Sequence, residues 1–267
     1  DGLYVAESDG KRRRWRRRGP YLRGMGVNHF AWDAKTKTLY AATHDDGVYA
    51  SKTLGRTWTP LNTELAIRKV WTVVVNPKDP DELWAGTHFS YLFRSTDRGR
   101  TWSVVAGYLE APGKENRYGD WGFGTVGNCL HGIHIDPRQP KRIYVVSSTD
   151  HGAVRSDDGG ETWAMIRRGI YESCPLAAAS ELGKPGRPSN PEQHLNTVHT
   201  CNHRLGIAAG NPQVLYRQMH CGVYRSDDHG ETWQDISAGL PDRHGFPLAV
   251  HPKDKNTVYV VPAYQGT

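Results

Sequence analysis

Short apolar runs alternate with turn residues along this chain in a unit that recurs several times. Runs such as VWTVVV, GIHI and LGIAA are followed by a turn rich in Pro, Asp or Asn and then by a second apolar run that contains an aromatic residue, as in DELWAG and KRIYVV. Segments of the form YLFRS, GAVRS and GVYRS come next. Apolar runs of this length between turn residues are typical of β-strands. Each unit of the pattern therefore predicts three strands that lead into a fourth.

A repeated phrase of the form Ser-x-Asp-x-Gly-x-Thr-Trp follows the third predicted strand of each unit. Its four copies, which we call the box turns, are SKTLGRTW (51–58), STDRGRTW (95–102), SDDGGETW (156–163) and SDDHGETW (226–233). Ser and Asp can bond the amides of a tight turn, Gly supplies a positive φ, and Trp fills the space between neighbouring sheets. We therefore expect Trp58, Trp102, Trp163 and Trp233 to be buried. The first copy has Thr53 in the Asp position, so another group must hold that turn.

The box turns are similar to the Asp-box, or bacterial neuraminidase repeat, of sialidases, Asp-box xyloglucanases, sortilin-type receptors and a photosystem assembly factor. The whole chain resembles longer bacterial sialidase-like and glycosyl-hydrolase-like repeat proteins. This resemblance implies an all-β fold, a β-propeller of four-stranded antiparallel blades in a single domain over 1–267. The blade repeats are expected at about 27–62, 70–108, 130–169 and 203–239, and 246–267 with 1–22 would form a closing blade without exposed sheet edges. The count is five blades if the chain is complete and more if it is a fragment.

Composition and charge narrow the class of partner. The 29 Gly, 16 Pro, nine Trp and 13 Tyr suit an all-β domain, and no apolar run is long enough to span a membrane. No secretory signal segment is visible, which leaves secreted and cytoplasmic locations both open. The net charge of +6 is concentrated in the run from Lys11 to Arg18. This run lies in a degraded box from Ser8 to Trp15, so we interpret Trp15 as a structural tryptophan and the arginines as solvated or paired with local acids, and a nucleic-acid partner is disfavoured.

One face of the predicted propeller collects histidines and aromatic residues. The connections into each first strand and the turns between second and third strands emerge on this face. Equivalent first-strand positions hold Asn28, Trp71, His131, His203 and Phe246. The turns add His44, His88, His220 and, three residues further on, His151. The candidate ligand-binding residues are Asn28, His44, Trp71, His88, His131, His151, His203, Arg204 and His220.

Imidazole binds transition metals and carries protons near neutral pH. His131, His203 and His220 are candidate ligands of a zinc or copper ion, which would require their nitrogens to converge within about 2.0–2.1 Å of one point. The alternative is that the repeat copied a histidine whose role is to hold a turn. No other cofactor is indicated.

The four cysteines, Cys129, Cys174, Cys201 and Cys221, fall on the same face in insertions or turns. HTCNH, ending at His203, places mixed metal ligands near His220 but lacks the paired spacing of a zinc finger. A disulfide between Cys174 and Cys201 would pin the long insertion 168–202 equally well. For Cys221 a buried thiol is favoured.

The resemblance also suggests glycoside hydrolysis as an activity of this chain. True sialidases hold the substrate carboxylate with three arginines, one of them in an early Arg-Ile-Pro segment that is absent here, so sialidase activity is disfavoured. A general glycosidase needs two carboxylates across the scissile bond. The candidates on the expected face are Asp45, Asp46, Asp120 and Asp150, and aromatic residues around Asp120 offer surfaces for sugar rings.

Two classes of function therefore remain. The chain is predicted to bind a glycan or similar polar ligand at the His-rich and aromatic face, with hydrolysis of that ligand and assistance from a metal as options. The alternative is a non-catalytic platform for a protein partner or a structural subunit of a larger assembly. Fold alone does not choose between them.

Overall fold

The computed structural model describes residues 2–112, 129–148, 153–170 and 201–263. Within these ranges the regular elements are all β-strands, apart from one short helix, α1, at Ala106–Leu109. No helix in the described ranges is long and apolar enough to cross a membrane. The chain divides into two compact units, Asp1–Val104 (unit 1) and Val105–Thr267 (unit 2).

Unit 1 contains a hairpin and two four-stranded antiparallel sheets. The hairpin pairs β1 (Leu3–Ser8) with β2 (Trp15–Tyr21). The first sheet comprises β3 (Val27–Asp33), β4 (Thr38–Thr43), β5 (Val48–Ser51) and β6 (Thr59–Pro60), and the second comprises β7 (Val70–Val75), β8 (Leu83–Thr87), β9 (Leu92–Ser95) and β10 (Ser103–Val104). One apolar core, with Tyr40, Val48, Val73, Phe93 and Trp102 among its members, packs the two sheets together.

Unit 2 repeats the same plan after α1. One sheet comprises β11 (Leu130–Ile135), β12 (Ile143–Ser147), β13 (Ala153–Ser156) and β14 (Ala164–Met165). The next comprises β15 (Asn202–Ile207), β16 (Leu215–Met219), β17 (Val223–Ser226) and β18 (Gln234–Asp235). A two-stranded sheet of β19 (Gly245–Val250) and β20 (Val258–Pro262) follows. The all-β class and its four-stranded antiparallel sheets are thus confirmed, whereas the closing blade, the single ring and the number of blades stay predictions.

The box turns are held by side chains that bond backbone amides. In the second, third and fourth copies the carboxylate of Asp97, Asp158 or Asp228 accepts the N–H of the Thr four residues later at 2.9 to 3.0 Å. In the first copy the hydroxyl of Thr53 accepts the N–H of Thr57 at 2.8 Å. A neutral oxygen therefore replaces the carboxylate, which explains how this turn forms without Asp.

The tryptophans of the box turns are not equally buried. Trp102, Trp163 and Trp233 are buried as expected, while Trp58 is only half-buried. The interpretation of Trp15 as a structural tryptophan is wrong, because its side chain is 62% exposed. Trp15 pairs with Ser8 at the turn end of a two-stranded hairpin rather than between two sheets. The expected pairing of the arginine run with local acids holds for Arg18, whose guanidinium lies 3.1 Å from Glu7.

Candidate functional site

The first strand of each sheet carries a β-bulge near its start. The register shifts at Val27/His29 and Val70/Thr72 in unit 1, and at Leu130/Gly132, Asn202/Arg204 and Gly245/Leu248 in unit 2. The positions spanned by these shifts hold the residues that the sequence aligned with one another: Asn28, Trp71, His131, His203 and Phe246. A bulge breaks the alternation of a strand and re-aims a side chain, and bulges are enriched beside functional sites. These five residues therefore occupy equivalent positions in their sheets, as the alignment of the repeats predicted.

The turns after the second strands lie beside these bulges. The amide N–H of His44, which follows β4, donates to the carbonyl of Gly26 at 2.8 Å, just before β3. The amide N–H of His88, which follows β8, donates to the carbonyl of Lys69 at 2.8 Å, just before β7. His220 occupies the corresponding place after β16. His151 lies outside the described residues.

In unit 1 these turns form a surface that we call the aromatic rim: His44, Trp71, His88 and Phe89. The rings of His44 and Trp71 lie 6.1 Å apart, and those of His88 and Phe89 lie 4.4 Å apart in an edge-on arrangement. The pKa of His88 is lowered, mainly by burial and also by the positive charge of Lys69. The buried His88 therefore places a neutral imidazole edge-on against the ring of Phe89.

Phe89 is the residue of the rim that the sequence did not single out. Its backbone has φ +65°, as Ser90 has φ +57°, and its side chain is 55% exposed. A bulky residue with positive φ is uncommon and strained, and such strain is concentrated at functional positions. No pattern of apolar and polar residues signals this backbone conformation, so the exposed ring became visible only in the structure.

Asn28 is not part of the aromatic rim and has a structural role. Its side-chain amide donates to the carbonyl of Val70 at 2.8 Å, which ties β3 to β7. Because one donor of the amide is committed to this contact, Asn28 acts as a link between two sheets of unit 1.

In unit 2 a second group of side chains converges, which we call the His–Cys cluster: Cys201, His203, His220 and His244. The candidate ligand atoms of Cys201, His203 and His220 all lie within 4.8 Å of one another. The ring of His220 lies 4.6 Å from those of both His203 and His244. The ring of Phe246 stacks on His203 at 4.1 Å.

His131, a predicted metal ligand, lies beside this cluster. Its Nδ1 is 4.0 Å from the Sγ of Cys201 and hydrogen-bonds to the carbonyl of Asn202 at 2.8 Å. Two of the three predicted ligands, His203 and His220, are therefore brought together, and Cys201 joins them. Arg204, also a candidate, is partly exposed on β15 next to His203.

Burial controls the charge of these groups. It lowers the pKa of His203 to about 4, against the opposing effect of the hydrogen bond to the Gly245 carbonyl, and it lowers the pKa of His131. Burial also raises the pKa of the Cys201 thiol to about 12, with a contribution from Cys129. Both imidazoles are consequently neutral at physiological pH, the form that binds metals.

The structure corrects the two cysteine predictions. Cys201 is a buried thiol, so the suggested disulfide between Cys174 and Cys201 is wrong. Cys221, expected to be a buried thiol, is disulfide-bonded, and its partner is not among the described residues. The position of Cys221 in a turn does not show which other cysteine the fold brings close to it. Spacing along the sequence therefore selected the wrong cysteine for the disulfide.

The described carboxylate candidates do not resemble a glycosidase pair. Asp46 accepts the hydroxyl of Tyr49 and lies 3.6 Å from the guanidinium of Arg68, so it stabilises its own turn. The side chain of Asp45 is 74% exposed and lies 3.9 Å from the Lys69 ammonium. Asp120 and Asp150 lie outside the described residues.

Sequence comparison places xyloglucanases among the relatives of this chain, although no protein-family model matches it. The chain is 28% identical over 242 residues to a probable oligoxyloglucan-reducing end-specific xyloglucanase from Neosartorya fischeri, covering 83% of this chain and 28% of that protein. It is 31% identical over 165 residues to an oligoxyloglucan-reducing end-specific xyloglucanase from Emericella nidulans, covering 62% of this chain and 19% of that protein. The chain thus spans less than a third of the length of these relatives.

Comparison with solved structures supports the fold. An ancestral GH74 enzyme matches with a TM-score of 0.63 and 20% identity over 89% of this chain and 28% of that one. YCF48 from Cyanidioschyzon merolae matches with a TM-score of 0.52 and 13% identity over 91% of this chain and 73% of that one. The solved structures show the class of fold, a propeller-like all-β protein, and the sequence relatives named above are xyloglucanases. The sialidase part of the predicted resemblance is not supported.

Proposed function

We propose that this chain binds a glycan of the xyloglucan class at the aromatic rim of unit 1. The observation that carries the proposal is the exposed ring of Phe89, held on a strained turn at the same end of the sheets as Trp71 and His44. Sugar rings present flat apolar C–H faces, and aromatic rings are suited to pack against them while imidazole nitrogens bond hydroxyl groups. The similarity to xyloglucanases supports the choice of glycan.

Hydrolysis of the same glycan is the second candidate function, because the relatives are xyloglucanases by name. It requires a protonated and an ionised carboxyl group on opposite sides of the glycosidic bond. Asp46 is committed to Tyr49 and Arg68, so it is a poor member of such a pair. Binding is therefore the function that the described residues support more directly.

Binding is tested by calorimetry with xyloglucan oligosaccharides, using Phe89→Gly, Trp71→Ala and Trp32→Ala. Loss of one stacking ring should weaken binding about 2- to 10-fold, the range expected for a single aromatic contact. Phe89→Gly should also stabilise the fold, because Gly adopts positive φ without strain, so weaker binding could not be attributed to unfolding. Trp32 is the matched control, since it is exposed and pairs with Leu39 beside the β3–β4 turn, at the end of the first sheet opposite His44.

Unchanged affinity in both Phe89→Gly and Trp71→Ala would refute the rim as the binding surface. Equal weakening by Trp32→Ala would refute it as well, because the effect would then not be local. Incubation of the wild-type protein with xyloglucan and analysis of reducing ends measures hydrolysis separately. Release of oligosaccharides that is lost in Asp120→Asn or Asp150→Asn would support the second candidate.

A further inference from the structure

The His–Cys cluster joins three separate segments of unit 2. Cys201 and His203 lie at the start of β15, His220 lies in the turn between β16 and β17, and His244 precedes β19. The donor atoms of Cys201, His203 and His220 are within 4.8 Å of one another. A tetrahedral ion with ordinary zinc–sulfur and zinc–nitrogen bonds needs its donors about 3.3–3.6 Å apart. Small side-chain rotations would bring the three donors onto such an ion.

His244 provides an independent indication of a ligand. Its side chain is only 7% exposed, and neither ring nitrogen has a hydrogen-bond partner among the described residues. Burying an imidazole without satisfying either nitrogen is costly, and each such group in a folded protein calls for an explanation. The ring faces the cluster, 4.6 Å from the ring of His220 and 5.4 Å from that of His203. An ion at the centre of the cluster would bond one of its nitrogens.

The backbone sets the tautomer of His203. Its Nδ1 contacts the carbonyl oxygen of Gly245, and because a carbonyl can only accept, Nδ1 must carry the proton. The lone pair of the neutral ring is then on Nε2. Metal-bound histidines usually donate their other nitrogen to a carbonyl or carboxylate in this way, which orients the ring and raises its basicity.

We propose that the His–Cys cluster binds one zinc ion through the thiolate of Cys201 and the imidazoles of His203, His220 and His244. Thiolate with imidazole is a donor set for zinc and copper, whereas calcium and magnesium require oxygen ligands that the cluster does not contain. Four protein ligands leave no open position, which is typical of a structural zinc site. The ion would cross-link β15, the β16–β17 turn and the segment before β19. This role is additional to glycan binding, which is assigned to unit 1.

The experiment uses the full chain, stripped with a chelator and kept without reductant because Cys221 is disulfide-bonded. Zinc is added back and measured by elemental mass spectrometry after desalting, and cobalt(II) is added in parallel as a spectroscopic probe. The variants are Cys201→Ser, which changes one atom, and His220→Gln, at a half-buried position that tolerates substitution. His251→Gln is the matched control, since His251 lies beyond the end of β19, where its Nδ1 accepts the amides of Lys253 and Asp254.

We expect one zinc per wild-type chain and, with cobalt, a thiolate-to-metal charge-transfer band together with the intense visible bands of a tetrahedral site. Cys201→Ser should abolish the charge-transfer band, and either ligand variant should weaken zinc binding by at least about 100-fold, beyond the 10- to 100-fold typical of losing an outer-shell partner. His251→Gln should bind as the wild type does. Less than stoichiometric zinc in the wild type, a cobalt spectrum without the thiolate band, or unchanged binding in Cys201→Ser would each overturn the proposal.

Discussion

Replacement of Trp102 by Ala tests how the repeated box turns stabilise the fold. Trp102 is 3% exposed, belongs to the core between the two sheets of unit 1, and donates its Nε1–H to the carbonyl of Leu61 at 2.7 Å. Burying such a side chain removes about 200 Å² from water, worth up to about 5 kcal/mol at about 25 cal/mol per Å². Truncations of buried Trp typically cost about 3–5 kcal/mol. We therefore expect Trp102→Ala to lower the free energy of unfolding of the chain by about 4 kcal/mol.

The assay is urea and thermal unfolding followed by circular dichroism, with Trp58→Ala and Trp15→Ala as a matched series. Because Trp58 is half-buried, Trp58→Ala should lower the free energy of unfolding by less than Trp102→Ala does. Because Trp15 is exposed, the free energy of unfolding of Trp15→Ala should stay within about 0.5 kcal/mol of the wild-type value. The melting temperature of Trp102→Ala should fall by about 10 °C, at 2–4 °C per kcal/mol for a chain of this size. If all three variants melt alike, or if Trp102→Ala leaves the transition unchanged, the box tryptophans do not hold the sheets together.

Two further predictions concern the carboxylates of the box turns. The pKa of Asp97 is lowered to about 2, chiefly by the N–H of Thr101 and also by the hydroxyls of Ser95 and Thr101. Because the folded pKa lies below the ordinary value of 3.8, the carboxylate stabilises the fold above pH 4 and this contribution is lost as the pH falls from about 4 towards 2. The difference in unfolding free energy between wild type and Asp97→Asn should therefore shrink over that range, and a difference independent of pH would contradict the assignment. Thr53→Asp should convert the first box to the form of the others and raise stability at pH 7 by about 0.5–1 kcal/mol, since hydrogen bonds to charged acceptors are stronger. A lower melting temperature for Thr53→Asp would show that the hydroxyl is already the better acceptor there.

The strand pattern and the box turns could be predicted from the sequence because the interactions that form them are local. Apolar runs separated by Pro- and Asp-rich turns correspond to the β3–β4 and β7–β8 pairs. The Ser, the Asp or Thr, and the Gly of each box act within eight residues of one another. The same local reasoning failed for Trp15. Whether a tryptophan is buried depends on a neighbouring sheet, and a two-stranded hairpin does not provide one there.

The candidate sites were predictable only in part. Aligning the repeats selected Trp71, His131 and His203 correctly as equivalent positions, because a repeat places equivalent residues at the same point of each sheet. It could not select Cys201 over Cys221 as the thiol beside the histidines, since that depends on which sulfur forms the disulfide.

By itself, the sequence determined the class of fold, the four-stranded repeat and the end of each sheet at which histidines and aromatic rings collect. These follow from periodicity, turn chemistry and repetition, which act over short stretches of chain. Only the tertiary structure decided that Phe89 is exposed on a positive-φ turn and that His244 is buried with unpartnered nitrogens next to His203 and His220. The first depends on the hydrogen bonds that close one turn. The burial of His244 depends on contacts between segments that are more than twenty residues apart in the sequence, and a local pattern of residues does not specify such contacts.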